Sequence, residues 1–410
     1  MRVAHVCQSY PPMISGAALM VEHMARGLAE RGHAVLVLAA SDRGPAYREV
    51  ADGVDVVRLR AISNPFRSQQ RFAVWPGPAL LAALHAFEPE VVHLHDPLGM
   101  GLPGLAAAGR LRCPVLLTLH SLPDVMAAYA PPVPGLKRLV ESAMWVYGRG
   151  FAARCQALVA PSAAVAEAVQ KHIGRFAHLI ASGIDLDAFT PEPVFAGEAK
   201  VVRRKYRLVP GLPVILHVGR LDIEKRVDVV LRAAAVALRQ APAQLLIVGD
   251  GTQRRVLTRL SRRLGIGDRT HFAGFVSSQD DLASLYRLAS VFVMASQTET
   301  EGLVAVEAAA CGLPVVAVNA TSMPEIVKHG VTGYLAPPGD LATMTRRLIE
   351  LLADPAKARA MGQAGRANMA QTHNFARALA AYEQLYGELL QMAGQSAGSA
   401  HKARPAHNRS

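Results

Sequence analysis

Short apolar stretches alternate along the chain with longer stretches in which apolar residues recur every three or four positions. The first two apolar stretches, RVAHVC at 2–7 and AVLVLAA at 34–40, read as buried strands. Between them, Met20, Met24 and Leu28 recur at helical spacing, and Gly32 provides a stop signal. A strand, a helix and a strand in this order predict a βαβ unit in a parallel sheet.

The same alternation continues almost to residue 390, with one interruption near 190–210 where prolines, Gly197 and a run of basic residues occur. A chain of 410 residues is too long for one ordinary core, so we place a domain boundary there. The sequence therefore predicts an α/β fold with domains at 1–195 and 196–374. A helix is expected at 378–391, and the small polar residues at 392–410 predict a disordered tail.

The formal charge of +12 is concentrated after the midpoint of the chain. Such an excess is typical of proteins that bind nucleic acid, an anionic membrane or an anionic small ligand. The basic residues are not interleaved with aromatic ones and there is no zinc-finger spacing, so we expect no nucleic-acid partner. Many of them lie in RRVLTRLSRRLGIGDR at 254–269, a pattern that favours a solvated helix face.

The compartment is predicted from the cysteines and the apolar runs. The four cysteines lie in apolar contexts without metal-ligand or CxxC spacing, which is typical of reduced thiols. No signal peptide is evident, and no 18-residue run is free of charge. We expect a cytoplasmic enzyme, with peripheral contact to the anionic inner face of a membrane left open. Residues 136–151 fit an amphipathic surface helix and a core-facing helix equally well.

The most informative stretch is SQTETEGLVAVEAAACGLPVV at 296–316. A helical run begins after Gly302 and ends at Gly312, with a buried strand beyond it. The first amides of a helix have no partner within it and carry the positive end of its dipole, so a diphosphate can bind there. Glu299 lies just before this helix and Glu307 within it, where both carboxylates could accept hydrogen bonds from hydroxyl groups. This arrangement favours a nucleotide sugar.

Three further candidates lie at predicted strand ends, where open α/β sheets bind their ligands. Gly219 and Arg220 follow a strand, with Lys225 a few residues on, and two such cations could neutralise a diphosphate. His120 ends PVLLTLH, where a neutral ring would bond a sugar hydroxyl and a protonated ring would favour a negative leaving group. Gly16 lies in the first strand-to-helix turn.

A zinc site is not expected from the histidines. His93 and His95 alternate in EVVHLHDPLG and are therefore predicted to face opposite sides of a strand, which is unsuitable for chelating one ion. We predict no metal ligands.

Taken in order, these motifs resemble those of retaining family 4 glycosyltransferases, which have the GT-B fold. The resemblance covers nearly the whole chain. It implies two facing Rossmann-like, doubly wound domains with an interdomain cleft, the N-terminal one for the acceptor and the C-terminal one for the donor, and a final helix at about 375–391 that packs back on the first domain. The form TETEGLV at 298–304 is similar to a branch that contains diacylglycerol glucosyltransferases.

Five positions depart from the family pattern. Glu301 stands where an aromatic residue is common, Ala295 stands where proline is usual, and Ser182 replaces an asparagine. Ala17 replaces the second glycine of a pair that begins at Gly16, and Arg226 stands where glycine is frequent.

The resemblance also implies roles for individual residues. Glu299 would contact the transferred sugar and Glu307 the ribose, while Arg220 and Lys225 would contact the diphosphate and His120 would lie near the reacting sugar. The remaining donor-binding positions would present backbone groups to the phosphates or the base: Gly16, Gly219, Gly302, Leu303, Val304, Phe275 and Val276.

The expected reaction is transfer of a hexose from a UDP- or GDP-linked sugar, with its configuration kept, to a lipid or envelope-glycan acceptor. Neither a metal nor a cofactor is expected. Three alternatives stay open: a phosphorylase of the same fold, a nucleotide-sugar epimerase, and a non-catalytic subunit that binds the nucleotide sugar.

Overall fold

The computed structural model describes residues 1–13, 15–64, 70–131, 133–192 and 196–402. Within these residues the chain forms two large sheets with helices packed on both faces, one in each half, and a small antiparallel sheet of two strands, Ala61–Ser63 and Arg71–Ala73, in the N-terminal half. Residues 193–195, at the predicted domain boundary, and 403–410, at the end of the predicted tail, lie outside the described residues.

The N-terminal half contains ten strands and six helices within the described residues. The strands are β1 (Arg2–Val6), β2 (Ala34–Ala40), β3 (Tyr47–Ala51), β4 (Val54–Leu59), β5 (Ala61–Ser63), β6 (Arg71–Ala73), β7 (Val91–Leu94), β8 (Val115–Thr118), β9 (Ala157–Ala160) and β10 (His178–Leu179). The helices are α1 (Gly16–Glu30), α2 (Gly77–Phe87), α3 (Gly101–Leu111), α4 (Pro123–Ala127), α5 (Leu136–Ala152) and α6 (Ala163–Ile173).

The described part of the C-terminal half contains six strands and nine helices. The strands are β11 (Val214–Val218), β12 (Gln244–Val248), β13 (Thr270–Gly274), β14 (Val291–Val293), β15 (Val315–Val318) and β16 (Gly333–Ala336). The helices are α7 (Ala196–Lys205), α8 (Val227–Gln240), α9 (Arg254–Arg263), α10 (Gln279–Leu288), α11 (Leu303–Ala310), α12 (Met323–Ile326), α13 (Leu341–Ala353), α14 (Pro355–Thr372) and α15 (Phe375–Lys402).

The N-terminal sheet has the strand order β10-β9-β8-β7-β1-β2-β4-β3, and all neighbours are parallel except β3 and β4. The chain starts in the middle of this sheet at β1, builds outwards through β2, and then returns to β7 on the other side. The register pairs His5 of β1 with His93 of β7. The two histidines therefore lie side by side near the carboxyl ends of the strands.

The C-terminal sheet is fully parallel, with the strand order β13-β12-β11-β14-β15-β16. The order reverses between β11 and β14, and open α/β sheets bind their ligands outside the carboxyl ends of the strands at such a point. The loops that leave β11 and β14 begin with the two predicted site segments, 219–225 and 296–302. The topology thus brings these segments together although about 75 residues separate them.

The last helix, α15, packs on the N-terminal half. Its Tyr382, Leu385 and Tyr386 are buried in one apolar cluster with Val3 of β1 and Met24 of α1. The helix is longer than predicted because it continues to Lys402, so residues 392–402 are helical and not a disordered tail. The alanines and the absence of proline up to that point are compatible with a continuing helix.

The exposure of helix α5 distinguishes the two predictions for it, an amphipathic surface helix or a core-facing helix. Leu139 and Val146 on this helix are 65% and 71% exposed, whereas only Phe151 and Ala152 at its end are buried. The exposed-surface interpretation is therefore the one that the structure supports. Among the described residues no helix is both long and apolar enough to cross a membrane.

Candidate active site

The clearest contact at the switch point of the C-terminal sheet joins Lys225 to Glu299. The Lys225 Nζ lies 2.6 Å from Oε1 of Glu299, whose residue is only 8% exposed. Burial by itself would raise the pKa of the Glu299 carboxyl, but the Lys225 ammonium and a hydrogen bond from Ser296 outweigh it and hold that pKa below its usual range. Glu299 is therefore an anion at neutral pH, with a cation directly beside it.

Arg220 lies next to this pair but is held by two other acids. Its Nη1 and Nη2 donate to Asp222 at 2.5 Å and to Glu224 at 2.6 Å, and both carboxylates are buried. Tyr129, from the N-terminal half, donates its hydroxyl to the other oxygen of Glu224 at 2.8 Å. Arg220 is thus less available as a free cation than the sequence pattern indicates, and it is also linked to the opposite half of the molecule.

Glu307 occupies a more apolar position within helix α11. The hydroxyl of Tyr286 donates to its Oε2 at 2.7 Å. Burial raises the pKa of the Glu307 carboxyl to about 7, and this hydrogen bond only partly offsets that effect. The two glutamates of the predicted pair therefore differ, since one is a fixed anion and the other is close to half protonated at neutral pH.

Two helix N-termini approach each other between the halves. Helix α11 begins after Gly302, which has φ +73°, a left-handed conformation that favours glycine. Across the cleft, the α-carbon of Gly16 at the start of α1 is positioned so that an added Cβ would lie 3.6 Å from Cδ1 of Leu303. Gly16, Gly302 and Leu303, predicted as phosphate-binding positions from distant parts of the chain, are therefore neighbours.

The loop that carries Glu299 is clamped to the N-terminal half by its own neighbours in sequence. Thr300 donates its hydroxyl to the backbone oxygen of His120 at 2.8 Å and accepts from the Ser162 hydroxyl at 2.6 Å through its own carbonyl. Glu301 accepts two bonds of 2.5 Å from Ser182, one from the backbone N–H and one from the hydroxyl. Glu301 and Ser182, two of the departures from the family pattern, thus contact each other.

His120 is brought to this loop from the end of β8, as the sequence predicts for a strand-end residue. Burial lowers the pKa of its imidazole to about 4, so the ring is neutral at neutral pH. Of the two options left open above, this favours a neutral ring that bonds a hydroxyl over a protonated ring that stabilises a leaving group.

The argument from strand alternation against a metal site is wrong. His93 and His95 have ring centroids only 3.9 Å apart, because β7 ends at Leu94 and His95 no longer follows the alternation. The ligand atoms of His5, His93 and His95 all lie within 4.8 Å of one another, which is close enough for one ion. However, the nitrogens of His93 are used by Thr118 and Tyr386, both at 2.8 Å. A metal would have to displace these bonds.

The remaining predicted residues lie at the same sheet edge but are less closely connected. Gly219 directly follows β11, and a Cβ added to Gly249 would come within 1.9 Å of its carbonyl oxygen, so the two turns pack backbone to backbone. Val304 accepts a 3.2 Å bond from Tyr286. Phe275 and Val276 follow β13 at the outer edge of the sheet. Val276 packs against the same apolar cluster as Leu303 and Val304.

Several residues of the site are missed by the sequence analysis. Asp222 and Glu224 lie inside the GRL…EK motif and could have been found there, since a buried arginine requires acidic partners. Tyr129, Tyr286 and Ser162 carry no signal, because each meets the site only through tertiary packing.

The two halves of the chain match known glycosyltransferase sequences. Residues 14–188 match the family described as Glycosyltransferase Family 4, and residues 199–368 match the family described as Glycosyl transferases group 1. The chain is 32% identical over 345 residues to the GDP-mannose-dependent alpha-mannosyltransferase of Mycobacterium tuberculosis (strain CDC 1551 / Oshkosh). This alignment covers 83% of this chain and 84% of that protein.

It is also similar to the alpha-monoglucosyldiacylglycerol synthase of Streptococcus pneumoniae (strain ATCC BAA-255 / R6), with 26% identity over 82% of this chain and 75% of the other. Among solved structures, sucrose-phosphate synthase from Thermosynechococcus elongatus superposes with a TM-score of 0.79 at 24% identity, covering 95% of this chain and 99% of that one. The predicted GT-B fold is confirmed. This protein is a member of the family 4 glycosyltransferases.

Proposed function

We propose that the protein transfers a hexose from a nucleoside diphosphate sugar to a lipid or glycan acceptor, without a metal and with the configuration of the sugar kept. The contact between Lys225 and Glu299 is the observation that carries this proposal. In a nucleotide sugar the diphosphate is bonded directly to the sugar, so a cation for the phosphate and a carboxylate for the sugar hydroxyls must be neighbours. Lys225 and Glu299 are such neighbours, and they lie at the switch point of the donor-side sheet.

The charge for the diphosphate comes from Lys225 and from two helix ends in this proposal. Because Arg220 is paired with two carboxylates, its charge is largely balanced locally. The backbone amides at the start of α11, and those at the start of α1 other than the Ala18 amide capped by Ser15, lie close together and supply the rest. Donor binding would then require Lys225 to share its ammonium between Glu299 and a phosphate oxygen.

The acceptor side follows from the N-terminal half and from the relatives. The exposed apolar residues of α5 lie beside basic ones, including Lys137 and Arg138, and such a helix binds an anionic lipid surface. One relative is named for a diacylglycerol product and another for a mannosyl product, and both names specify alpha linkages. These names support a retaining outcome for an alpha-linked donor.

The experiment is a donor and acceptor screen that separates the alternatives. The purified protein is incubated with UDP-glucose or GDP-mannose in EDTA, with and without diacylglycerol vesicles or a glycan primer. We expect nucleotide release that depends on the acceptor, and a glycosylated product of retained configuration. Formation of a sugar 1-phosphate with added phosphate would instead indicate a phosphorylase, and a rearranged donor an epimerase. Saturable nucleotide binding without turnover on any acceptor would identify a binding subunit.

A further inference from the structure

Three imidazole rings form a line from the core of the N-terminal half to the cleft. Nδ1 of His5 lies 2.9 Å from Nε2 of His95, and Nδ1 of His95 lies 3.1 Å from Nε2 of His120. The three rings come from adjacent strands, since β1, β7 and β8 are neighbours in the sheet. Successive rings are almost parallel, with interplanar angles of 23° and 20°.

The two ends of this line differ. His5 is fully buried, and its Nε2 has no hydrogen-bond partner in the described part of the chain. His120 is only partly buried, and its Nδ1 makes no hydrogen bond within the same residues, so this atom is left for a substrate. Burial lowers the pKa of His5 to about 3 and keeps that of His95 well below its ordinary value, so each ring carries one proton at neutral pH.

A line of neutral imidazoles can be protonated in only two consistent ways. In one, every ring donates inward, which places an N–H at the buried Nε2 of His5 with nothing to accept it. In the other, every ring donates outward from Nδ1, which leaves only a lone pair unsatisfied at that atom. An orphaned buried N–H group is rarer than an under-satisfied acceptor. The outward direction is therefore favoured, although it gives all three rings the Nδ1-protonated form.

We propose that His5 and His95 are positioning residues that hold His120 with its proton on Nδ1, so that His120 donates a hydrogen bond to an oxygen of the bound donor sugar. This inference rests on the proposed function, because only that function places a sugar at His120. It adds two residues that act on the reaction without touching the substrate. The proton is not transferred in this role; the ring supplies a donor of fixed direction.

His93 is the natural control. It lies in the same cluster and is equally buried, but its nitrogens bond to Thr118 and Tyr386 instead of joining the line. The titratable groups near the line include His93 and the tyrosines of α15, and the ring centroids of Tyr382 and His93 are 5.5 Å apart.

The first test measures the tautomer directly and needs no turnover. The full-length protein is labelled with 15N-histidine, and the His120 signals are assigned by their loss in His120→Gln, since the chain has 15 histidines. The 15N shifts distinguish a protonated ring nitrogen from a bare one. We expect His120 to be protonated at Nδ1 in the wild type and to lose this preference in His95→Leu, which has no ring nitrogen to donate to Nε2 of His120. A wild-type His120 protonated at Nε2 would overturn the proposal.

The second test asks whether the line affects catalysis. His95→Leu should lower kcat about 10-fold with little change in the KM for the donor, a loss in the range typical of outer-sphere partners. His95→Asn should recover most of this loss, because the Asn side-chain N–H₂ group occupies the position of the histidine Nδ1 and can still donate to His120. His93→Gln should leave the His120 tautomer unchanged. Thermal unfolding of each variant identifies those that fail to fold.

Two other results contradict the proposal. Equal kcat values for wild type, His95→Leu and His95→Asn would show that the line has only a structural role. Stoichiometric zinc in the purified protein, lost in His5→Leu, would show that the cluster is a metal site instead. If no donor or acceptor supports turnover, the proposed function fails, whereas the tautomer measurement still decides whether the histidine line is oriented as argued.

Discussion

The two sheets present different polar groups to the cleft between them. At the carboxyl ends of β11 and β14, the side chains are charged and paired: Lys225 with Glu299, and Arg220 with Asp222 and Glu224. At the carboxyl ends of β7 and β8, they are neutral imidazoles joined by hydrogen bonds. Both edges have the same topological role, since each belongs to a parallel sheet that reverses its strand order.

The difference indicates which part of the reaction each half serves. A departing nucleoside diphosphate carries negative charge, and preorganised cations and helix N-termini stabilise it. A neutral sugar needs oriented donors and acceptors, and a protonated histidine there would add an unwanted charge. The charged edge is therefore suited to the leaving group and the neutral edge to the sugar. The loop 298–301 joins the two, because Thr300 contacts His120 and follows Glu299 directly.

The largest effect is expected from removing the cation of the charged edge. Lys225→Ala should lower kcat/KM about 100- to 1,000-fold, the usual cost of losing one preorganised electrostatic contact to the transition state. Arg226→Ala is the matched control and should retain nearly full activity, since this neighbouring residue is exposed and its guanidinium pairs with the exposed side chain of Asp228. Steady-state kinetics with thermal unfolding measures both. Similar losses in the two variants would show that Lys225 has no special role.

The second prediction concerns the contact between Glu301 and Ser182, which joins the C-terminal half to the N-terminal half. Burial raises the pKa of Glu301 from its ordinary value of 4.5 to about 7, and the two bonds from Ser182 do not fully offset this. The folded state thus binds more protons than the unfolded state between these values, so its stability is highest at low pH and falls as pH rises through 7. From pH 5 to 8 the loss from this group is roughly 3 kcal/mol.

Glu301→Gln should remove this dependence while keeping the contact. The amide oxygen can accept from the Ser182 N–H, and the amide N–H₂ can donate to the hydroxyl. Chemical unfolding of both proteins at pH 5, 6, 7 and 8 gives the difference, in which the similar contribution of Glu307 cancels. The variant should gain on the wild type as pH rises. Parallel curves would mean that Glu301 does not carry the raised pKa.

Sequence patterns located the charged edge better than the neutral one. Arg220, Lys225 and Glu299 lie in short local motifs at strand and helix ends, so their meeting follows from a parallel βα topology that the hydrophobic pattern itself predicts. The histidine line depends on strand register and on where β7 ends. A shift of one residue in a strand reverses the side of the sheet that each side chain faces. Alternation therefore predicts His93 and His95 on opposite sides, although their rings are neighbours in the structure.

The sequence also does not predict which side chains of the N-terminal half contact the charged residues and their loop. Tyr129, Ser162 and Ser182 meet the donor loop because of how the halves pack, and no spacing in the chain encodes that packing. Helix α15 illustrates the same limit at its end. The small residues after Gln391 are compatible with both a tail and a helix, and the structure continues the helix to Lys402.

The third prediction compares the facing helix starts. Gly302→Ala should destabilise the protein by about 1–2 kcal/mol, because its φ of +73° is unfavourable for alanine. The new methyl would also have to displace the side chain of Met323, which lies 2.2 Å from its position. Gly135→Ala has a similar φ of +80°, and no atom of the described residues lies within 4 Å of its added methyl, so this variant isolates the backbone cost.

Gly16→Ala has neither constraint, since its methyl would meet Leu303 at an ordinary 3.6 Å. We expect its unfolding free energy to change by less than about 0.5 kcal/mol, while the KM for the donor rises if its backbone approaches the phosphate. Urea unfolding and donor titration separate the two effects. An unchanged KM would remove Gly16 from the phosphate site, and equal stabilities for the three variants would contradict the distinction between the two helix starts.

The smallest effect lies furthest from the cleft, on α5 of the acceptor side. Val146→Glu places a charge on the exposed apolar surface of this helix and should weaken binding to anionic vesicles several-fold, about 1 kcal/mol, because a valine side chain loses its burial in lipid. Val50→Glu is the control, since that valine is similarly exposed at 75% but lies on β3. Vesicle sedimentation measures both, with nucleotide release from a water-soluble acceptor as the activity check. If both valines matter equally, vesicle binding reflects overall charge and α5 has no part in presenting the acceptor. If only Val146 matters and soluble turnover is intact, the neutral edge is the one that receives its acceptor from a lipid surface.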